Sequence, residues 1–412
     1  MPGVQEAVSR ERPGSALGQP AFRIVLYASV ASLCAFWMND VACSWLMREM
    51  TDADPFMTSL VQMALQLPVA LVLLPAGVLT DLLDRVKLFL FAQLWSAIAT
   101  AALFLCFLAD LLSPIGLLAL VCLLGIGSAL RMPNVTATVS DIVPRAQLTQ
   151  AMSLTNAVTN GSRMIGPAIA GVLIALGGVT SVIGVNLMLL LVAMFWLRQL
   201  PTASHVKVAV DWTVFKAAFL DGFRVMTAGQ EQRRLLFMTW VYCLSLSVIV
   251  SLLPVLFDSS TEYGLMYTAY GAGAVCGAIC MAALRSNDNL RLILRCCILL
   301  SLIALIVLAL TRLPLAQGAA LFLAGGAWVG VLNASQIYAA LALRNAQRGR
   351  GMSFLFMAAI GGMALGSPIW GAIAKALSFQ ASFVISAVVV GALVLLFRLP
   401  VVEASEAGGT EH

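Results

Sequence analysis

In the stretch AFWMNDVACSWLM, Asn39 and Asp40 stand side by side in an otherwise apolar run. A carboxylate at the centre of a bilayer costs about 2.5–3.5 kcal/mol on insertion scales, so it persists where it pairs with another group or marks an ion path. Two other ionisable residues lie within long apolar runs, Arg131 and Arg163. Counted from the start of its run near residue 24, Asp40 lies about 24 Å deep, and Arg163, counted from 151, about 20 Å. These similar depths lead us to expect that Asp40 and Arg163 face one cavity and meet directly, through water or through a ligand. A proton arriving at Asp40, or a charged ligand, would then displace that contact. A static structural ion pair is the alternative. Ser32, Phe36, Asn39 and Cys43 fall near Asp40 on a helix and make a polar strip. Arg131 lies nearer a membrane surface, where its long side chain can reach out to water.

Further polar groups point to a ligand-binding wall. Tyr263, Tyr267 and Tyr270 are spaced i, i+4, i+7, one face of a helix. Tyr242, Asn156, Asn160, Asn333, Gln336 and Tyr338 add hydroxyl and amide groups in other apolar runs. Such a wall suits a ring-bearing or amphipathic small molecule. Helix packing is the competing role for each, and Tyr263 also suits anchoring at the membrane interface. Nothing here has the spacing of an enzyme site: no nucleophile–base set, phosphate-binding loop or metal-ligand cluster is legible, and no cofactor is expected. The nine cysteines lie in or beside apolar runs with no C-x-x-C pair, so packing is expected of them rather than metal or disulfide chemistry.

The elements that must position these residues are membrane helices. The 412 residues are 61% hydrophobic and 10% charged, against about 25% charged in a soluble domain. A mean hydropathy of +0.97 agrees. Apolar runs of crossing length fall at 24–47, 57–79, 88–109, 114–137, 151–176, 180–198, 235–257, 263–284, 293–312, 315–340, 352–374 and 380–398. Twelve spans put both termini on one side. Loops on the opposite side carry only Arg48, Arg312 and Lys375, while the remaining loops and tails are rich in Lys and Arg. The positive-inside rule therefore predicts cytoplasmic termini. Met1 to Pro20 is polar and lacks the apolar core of a signal peptide, so the first span is expected to remain. Basic residues are scattered singly, which gives no footprint for a nucleic acid. The expected partners are the bilayer, protons and a small molecule, with the chain a monomer.

The longest polar gap, 199–234, divides the chain into a tail (1–22), a six-helix half (23–200), a linker (201–234), a second half (235–399) and a second tail (400–412). Within the linker, Trp212, Phe215, Phe219, Phe223 and Met226 share one helical face, with Lys216 and Arg224 off it. This predicts a helix lying on the cytoplasmic leaflet, or else packed on the protein. The halves also repeat at an offset of 200. Over residues 152–171 and 352–371 there are six identities in twenty positions, including Gly161/Gly361, Gly166/Gly366 and Gly171/Gly371, where composition predicts about one or two. Parallel repeats of six helices are one way secondary transporters are built, with the site between the halves near the midplane.

Two motifs bear on the moving parts. The loop PAGVLTDLLDRVKLF places Gly77, Asp81, Asp84 and Arg85 at positions that resemble the signature loop of the major facilitator superfamily, Gly-x-x-x-Asp-Arg-x-Gly-Arg-Arg. Leu82, Asp84 and Val86 depart from it. The fifth span carries GSRMIGPAIAG, in which Gly161, Gly166, Pro167 and Gly171 resemble the Gly-Pro motif of superfamily exporters, with Ala170 in place of one Gly. Small residues allow close helix packing and Pro167 removes a helix hydrogen bond. The run from Pro133 through DIVPR, AMSL, Asn156 and Arg163 resembles the branch of that superfamily that includes the bacterial enterobactin exporter and several drug efflux pumps. The resemblance implies an all-α fold of twelve helices and proton-driven export from the cytoplasm across the inner membrane. It leans to a siderophore as cargo, with a drug-like or lipid-like compound as the alternative. Import by the same fold is the other transport reading, which the exporter-type Gly-Pro motif disfavours.

Overall fold

The computed structural model describes residues 15–201, 212–283, 290–343 and 345–396. Among them every long element is an α-helix: α1 (Pro20–Met50), α2 (Pro55–Leu82), α3 (Arg85–Leu108), α4 (Pro114–Ile142), α5 (Leu148–Leu197), α6 (Trp212–Thr227), α7 (Gln230–Leu256), α8 (Ser260–Ala283), α9 (Leu290–Leu310), α10 (Pro314–Ala342), α11 (Asn345–Ala376) and α12 (Phe379–Leu396). Their starts are written in the sequence. Pro20, Pro55, Pro114 and Pro314 occupy the first turn, where the missing N–H costs nothing. Asp54, Asp84 and Ser113 cap α2, α3 and α4 by accepting backbone N–H bonds.

α5 contains two spans. Gly177 and Gly178 leave the helical region, and Gly178 has a φ of 69°, which glycine adopts without strain. The chain reverses there. Gly166 abuts Cys34 and Trp37 of α1, and Asn186 also bonds Asn39 of α1. Twenty residues of straight helix would hold those two points about 30 Å apart. Counting the two arms of α5 (148–176 and 179–197) separately and leaving out α6, the described residues hold twelve spans in two sets of six. The expected spans all form, but many run longer: α1 starts at Pro20, α4 ends at Ile142 and α11 starts at Asn345. Hydropathy marks only the apolar part of a helix, and these helices continue past it.

The two sets repeat each other in their packing. α1 packs on the first arm of α5 as α7 packs on α11; α2 on α4 as α8 on α10; α3 on α4 as α9 on α10. The seam between them is made by α2 with α11 and by α5 with α8, two contacts that the repeat exchanges. The correspondence reaches single residues. A Cβ added at Gly171 would meet Gly264 Cα and the Ser260 carbonyl, each at 2.8 Å. One added at Gly371 would meet the Ser59 side chain and the Pro55 carbonyl.

These tight glycines lie at the end of the seam remote from the described chain ends, here the far side. Two ion pairs cross the seam there, Arg48–Asp258 and Lys375–Asp54. Trp45 stacks on Tyr263 beside them, ring centroids 6.0 Å apart. On the near side, Gly77 and Gly161 have nothing within 4 Å of an added Cβ. The seam is therefore sealed on the far side and looser on the near side. Over-filling the seal costs roughly 1–3 kcal/mol. Gly171→Leu is thus expected to slow transport about tenfold while leaving membrane insertion intact. Flux in vesicles normalised to folded protein checks this, and full flux would mean the seal does not form during the cycle.

Burial follows the same plan. Tyr242, Tyr263, Tyr267 and Trp370 are buried at the middle of the bundle, while Leu105, Ile115, Leu176, Leu310 and Leu395 are exposed on its apolar outer belt. α6 packs on α11: Phe219 and Phe223 meet Phe354 edge-on, Met226 is buried, and Asp221 pairs with Arg350 at 2.8 Å. The side chains of Trp212, Phe215 and Lys216 fall outside the described residues. Of the two placements expected for this helix, packing on protein is therefore found, with Phe219 and Phe223 keeping half-exposed edges.

Candidate functional site

A cavity of about 160 Å³ lies at the seam, lined from both halves. From the first half come Trp37 of α1, Gln62 and Gln66 of α2, Arg131 of α4 and Arg163 of α5. From the second come Tyr267 and Tyr270 of α8, Trp328 and Leu332 of α10, and Phe356 and Met363 of α11. The volume is below the roughly 300–1,000 Å³ of drug-sized pockets, so a larger occupant requires the halves to part further.

Asp40 is buried, 3% exposed. It does not pair with Arg163. Gln62 Nε2 donates to one carboxylate oxygen and the Tyr267 hydroxyl donates to the other at 2.7 Å. The reason is register. Gly166 fits against Cys34 and Trp37, which sets Arg163 level with about residue 33 of α1. Asp40 is then seven residues, about 10 Å, farther along. Depth counted from the ends of two apolar runs concealed this offset, because helix starts relative to the membrane differ from run to run.

Arg163 instead lies between two indoles. Its guanidinium carbon is 4.8 Å from the Trp37 ring centroid and 4.5 Å from that of Trp328. Each such contact contributes about 0.5–2 kcal/mol when desolvated. Trp328 belongs to the second half, so this clamp, like the Tyr267–Asp40 bond, spans the seam.

Arg131 is 7% exposed and lies 5.9 Å over the Phe36 ring. It does not reach a membrane surface as expected, because it is eleven residues from the end of a helix that runs on to Ile142. It shares a second, smaller cavity of about 30 Å³ with Asp40, Ser32, Asn39, Gln93 and Ser128. That is room for a water molecule among polar groups.

Other expected site residues have different surroundings. Asn39 accepts from Asn186 at 2.6 Å and donates to Thr100 at 3.4 Å, tying α1 to α5 and α3. Tyr242 bonds Ser301 at 2.8 Å within the second half and does not line the central cavity. Tyr263 is fully buried against Trp45 and is not at an interface. Asn160 bonds the Asn156 carbonyl and Asn156 is exposed; Thr159, between them, is the residue that reaches the cavity. Asn333 and Gln336 are partly buried on α10, whose cavity-lining residues are Trp328 and Leu332. All nine cysteines are free.

The loop after α2 acts within its own half. Arg85 pairs with Asp141 at 2.6 Å and donates to the Ala137 carbonyl at 3.0 Å, binding α3 to α4. Asp84 caps α3 through Lys87 N. The side chain of Asp81 falls outside the described residues. Gly166 and Pro167 are buried, Gly166 against α1. Gly77 and Gly161 have nothing within 4 Å of an added Cβ.

On the far side, burial raises the Asp54 pKa but hydrogen bonds from Lys375, Met57 N and Phe56 N outweigh it and lower it. The pair's contribution is thus complete above the ordinary carboxylate range and fades only as pH falls below it. Near neutral pH the Asp54–Lys375 pair is therefore charged on both sides.

Residues 12–412 match the family described as transmembrane secretion effector. The chain belongs to that family. It is 26% identical over 168 residues to an uncharacterized major facilitator-type transporter, YfiS, of Bacillus subtilis (strain 168). That match spans 41% of this chain and 39% of the relative. Among solved structures, the nucleoside transporter NupG aligns with TM-score 0.74 at 11% identity, covering 92% of this chain and 100% of that one. The human organic anion transporter TETRAN aligns with TM-score 0.65 at 16% identity, over 92% and 98%. A bacterial homolog of the human lysosomal transporter Spinster, inward-facing and unoccupied, aligns with TM-score 0.69 at 15%, over 92% and 96%. At these identities the likeness is one of fold. The chain is a membrane protein of the major facilitator type.

Proposed function

We propose that the chain is a proton-coupled exporter of a small organic molecule, working by alternating access in the inner membrane with both termini in the cytoplasm. The carrying observation is that Asp40, the one carboxylate buried below a tenth exposure among the described residues, is hydrogen-bonded across the seam by Tyr267. A group so placed can link its own charge to the relation of the two halves. The excess of Lys and Arg in near-side loops favours a cytoplasmic near side. The sealed far side then makes this the cargo-loading arrangement of an exporter.

A siderophore is the leading cargo class, from the resemblance to the enterobactin-exporter branch; amphipathic drugs are the second, favoured by Phe356, Leu332 and Met363 on the cavity wall. Deleting the gene and starving the cells of iron separates them. Intracellular build-up of siderophore is the expected result. Unchanged siderophore secretion with raised drug sensitivity moves the assignment to drugs, and neither phenotype overturns export.

A further inference from the structure

We propose that the central cavity is an oxyanion site for a planar aromatic cargo, its carboxylate or catecholate oxygens bound by Arg163 and by the indole N–H groups of Trp37 and Trp328. This assignment rests on the export reading for the cavity's role and adds the chemical class of what it carries. Three nitrogens around this cavity, Arg163 Nε, Trp37 Nε1 and Trp328 Nε1, are sheltered from solvent and have no hydrogen-bond partner. All three are donors, and neither guanidinium nor indole can accept. What satisfies them must bring acceptors.

Charge selects the same class. Arg131 and Arg163 both line the cavity and no lining residue is a carboxylate; Asp40 is held by Gln62 and Tyr267. A cationic guest would meet two guanidinium groups with nothing to offset it, whereas an oxyanion gains charge-assisted hydrogen bonds, the stronger kind. The aromatic part of the guest finds Phe356 and Tyr270 on the cavity wall. Arg163 and Trp37 belong to the first half and Trp328 to the second, so an oxyanion held by all three spans the seam. The three donors become accessible together as the halves part, which is when such a guest enters or leaves.

The test uses full-length purified protein and simple probes. Salicylate and 2,3-dihydroxybenzoate are titrated by calorimetry beside benzyl alcohol and the cation rhodamine 6G. Both anions are expected to bind, and Arg163→Ala to weaken them about thirtyfold or more. Trp328→Phe keeps an aromatic face but removes the N–H together with the second ring. It is expected to weaken binding of the anions more than that of benzyl alcohol, which separates loss of the N–H from loss of packing. Anions that bind no tighter than benzyl alcohol, or binding indifferent to both variants, overturn the proposal. Rhodamine binding with robust efflux of cations would overturn the oxyanion assignment and leave export standing. Absence of any efflux in vesicles would instead remove the export reading, whatever binds.

Discussion

In proteoliposomes with an imposed pH gradient, Asp40→Asn is expected to reduce uphill transport to the level seen without a gradient. The same protein should still exchange labelled for unlabelled cargo. The substitution keeps the shape and an oxygen that accepts from Tyr267 or Gln62, so the buried site is not emptied. It removes the one buried carboxylate among the described residues. The groups around it do not substitute. Tyr263 and Tyr267 on α8 and Cys43 on α1 are buried and carry no charge in either step, and Arg131 keeps its charge. On the far side, the lowered pKa of Asp54 keeps it charged near neutral pH. Retained exchange establishes that the chain folds and cycles with cargo bound, so loss of accumulation alone isolates coupling. Undiminished accumulation by Asp40→Asn would end the role of Asp40.

The span count, the repeat, the linker helix and the isolated acid in α1 were all legible in the sequence, because each is a statement about periodicity or composition. What composition could not show is register between helices. Asp40 and Arg163 have similar apparent depths, yet the packing of Gly166 on α1 sets them about two turns apart. Only the neighbours of a glycine reveal that. Gln62, Gln66, Trp37 and Trp328 were also missed as cavity residues. A signal existed for two of them: Gln62 and Gln66 are spaced i, i+4 in an apolar helix, as are the tyrosines of α8. For the tryptophans there was none, since an indole in a membrane helix reads the same at a lipid interface, in a core or beside a cation. The tyrosine face, expected as a ligand-binding wall, divides by height. Tyr263 serves the far-side seal, Tyr267 holds Asp40 and lines the cavity, and Tyr270 lines the cavity.

That division by height makes Tyr267 the link between acid and seal. Rings run in a ladder from Trp45 through Tyr263 and Tyr267 to Tyr270, with centroid separations of 6.0, 6.0 and 6.3 Å. One rung donates a hydrogen bond to the carboxylate of the opposite half. Hydrogen bonds to a charged group contribute about 1.5–3 kcal/mol, enough to bias a two-state seam about ten- to a hundredfold. Tyr267→Phe keeps the ladder and deletes that bond, so the far side should open more often. Ser59 packs against Gly371 inside the seal, which makes Ser59→Cys a reporter. In cargo-free vesicles, its labelling by a membrane-impermeant thiol reagent from the far side is expected to rise by about that factor in Tyr267→Phe, measured against the labelling of the parent chain. Asp40→Asn should raise it too, because it removes the charge that strengthens that bond, and the double variant should add little. Leaving cargo out of the assay matters: Tyr267 also lines the cavity, and a loss confined to cargo-bound protein would place it in binding. Labelling unchanged by Tyr267→Phe would break the link between Asp40 and the seal, and the halves would then take their cue from the Arg163 clamp alone.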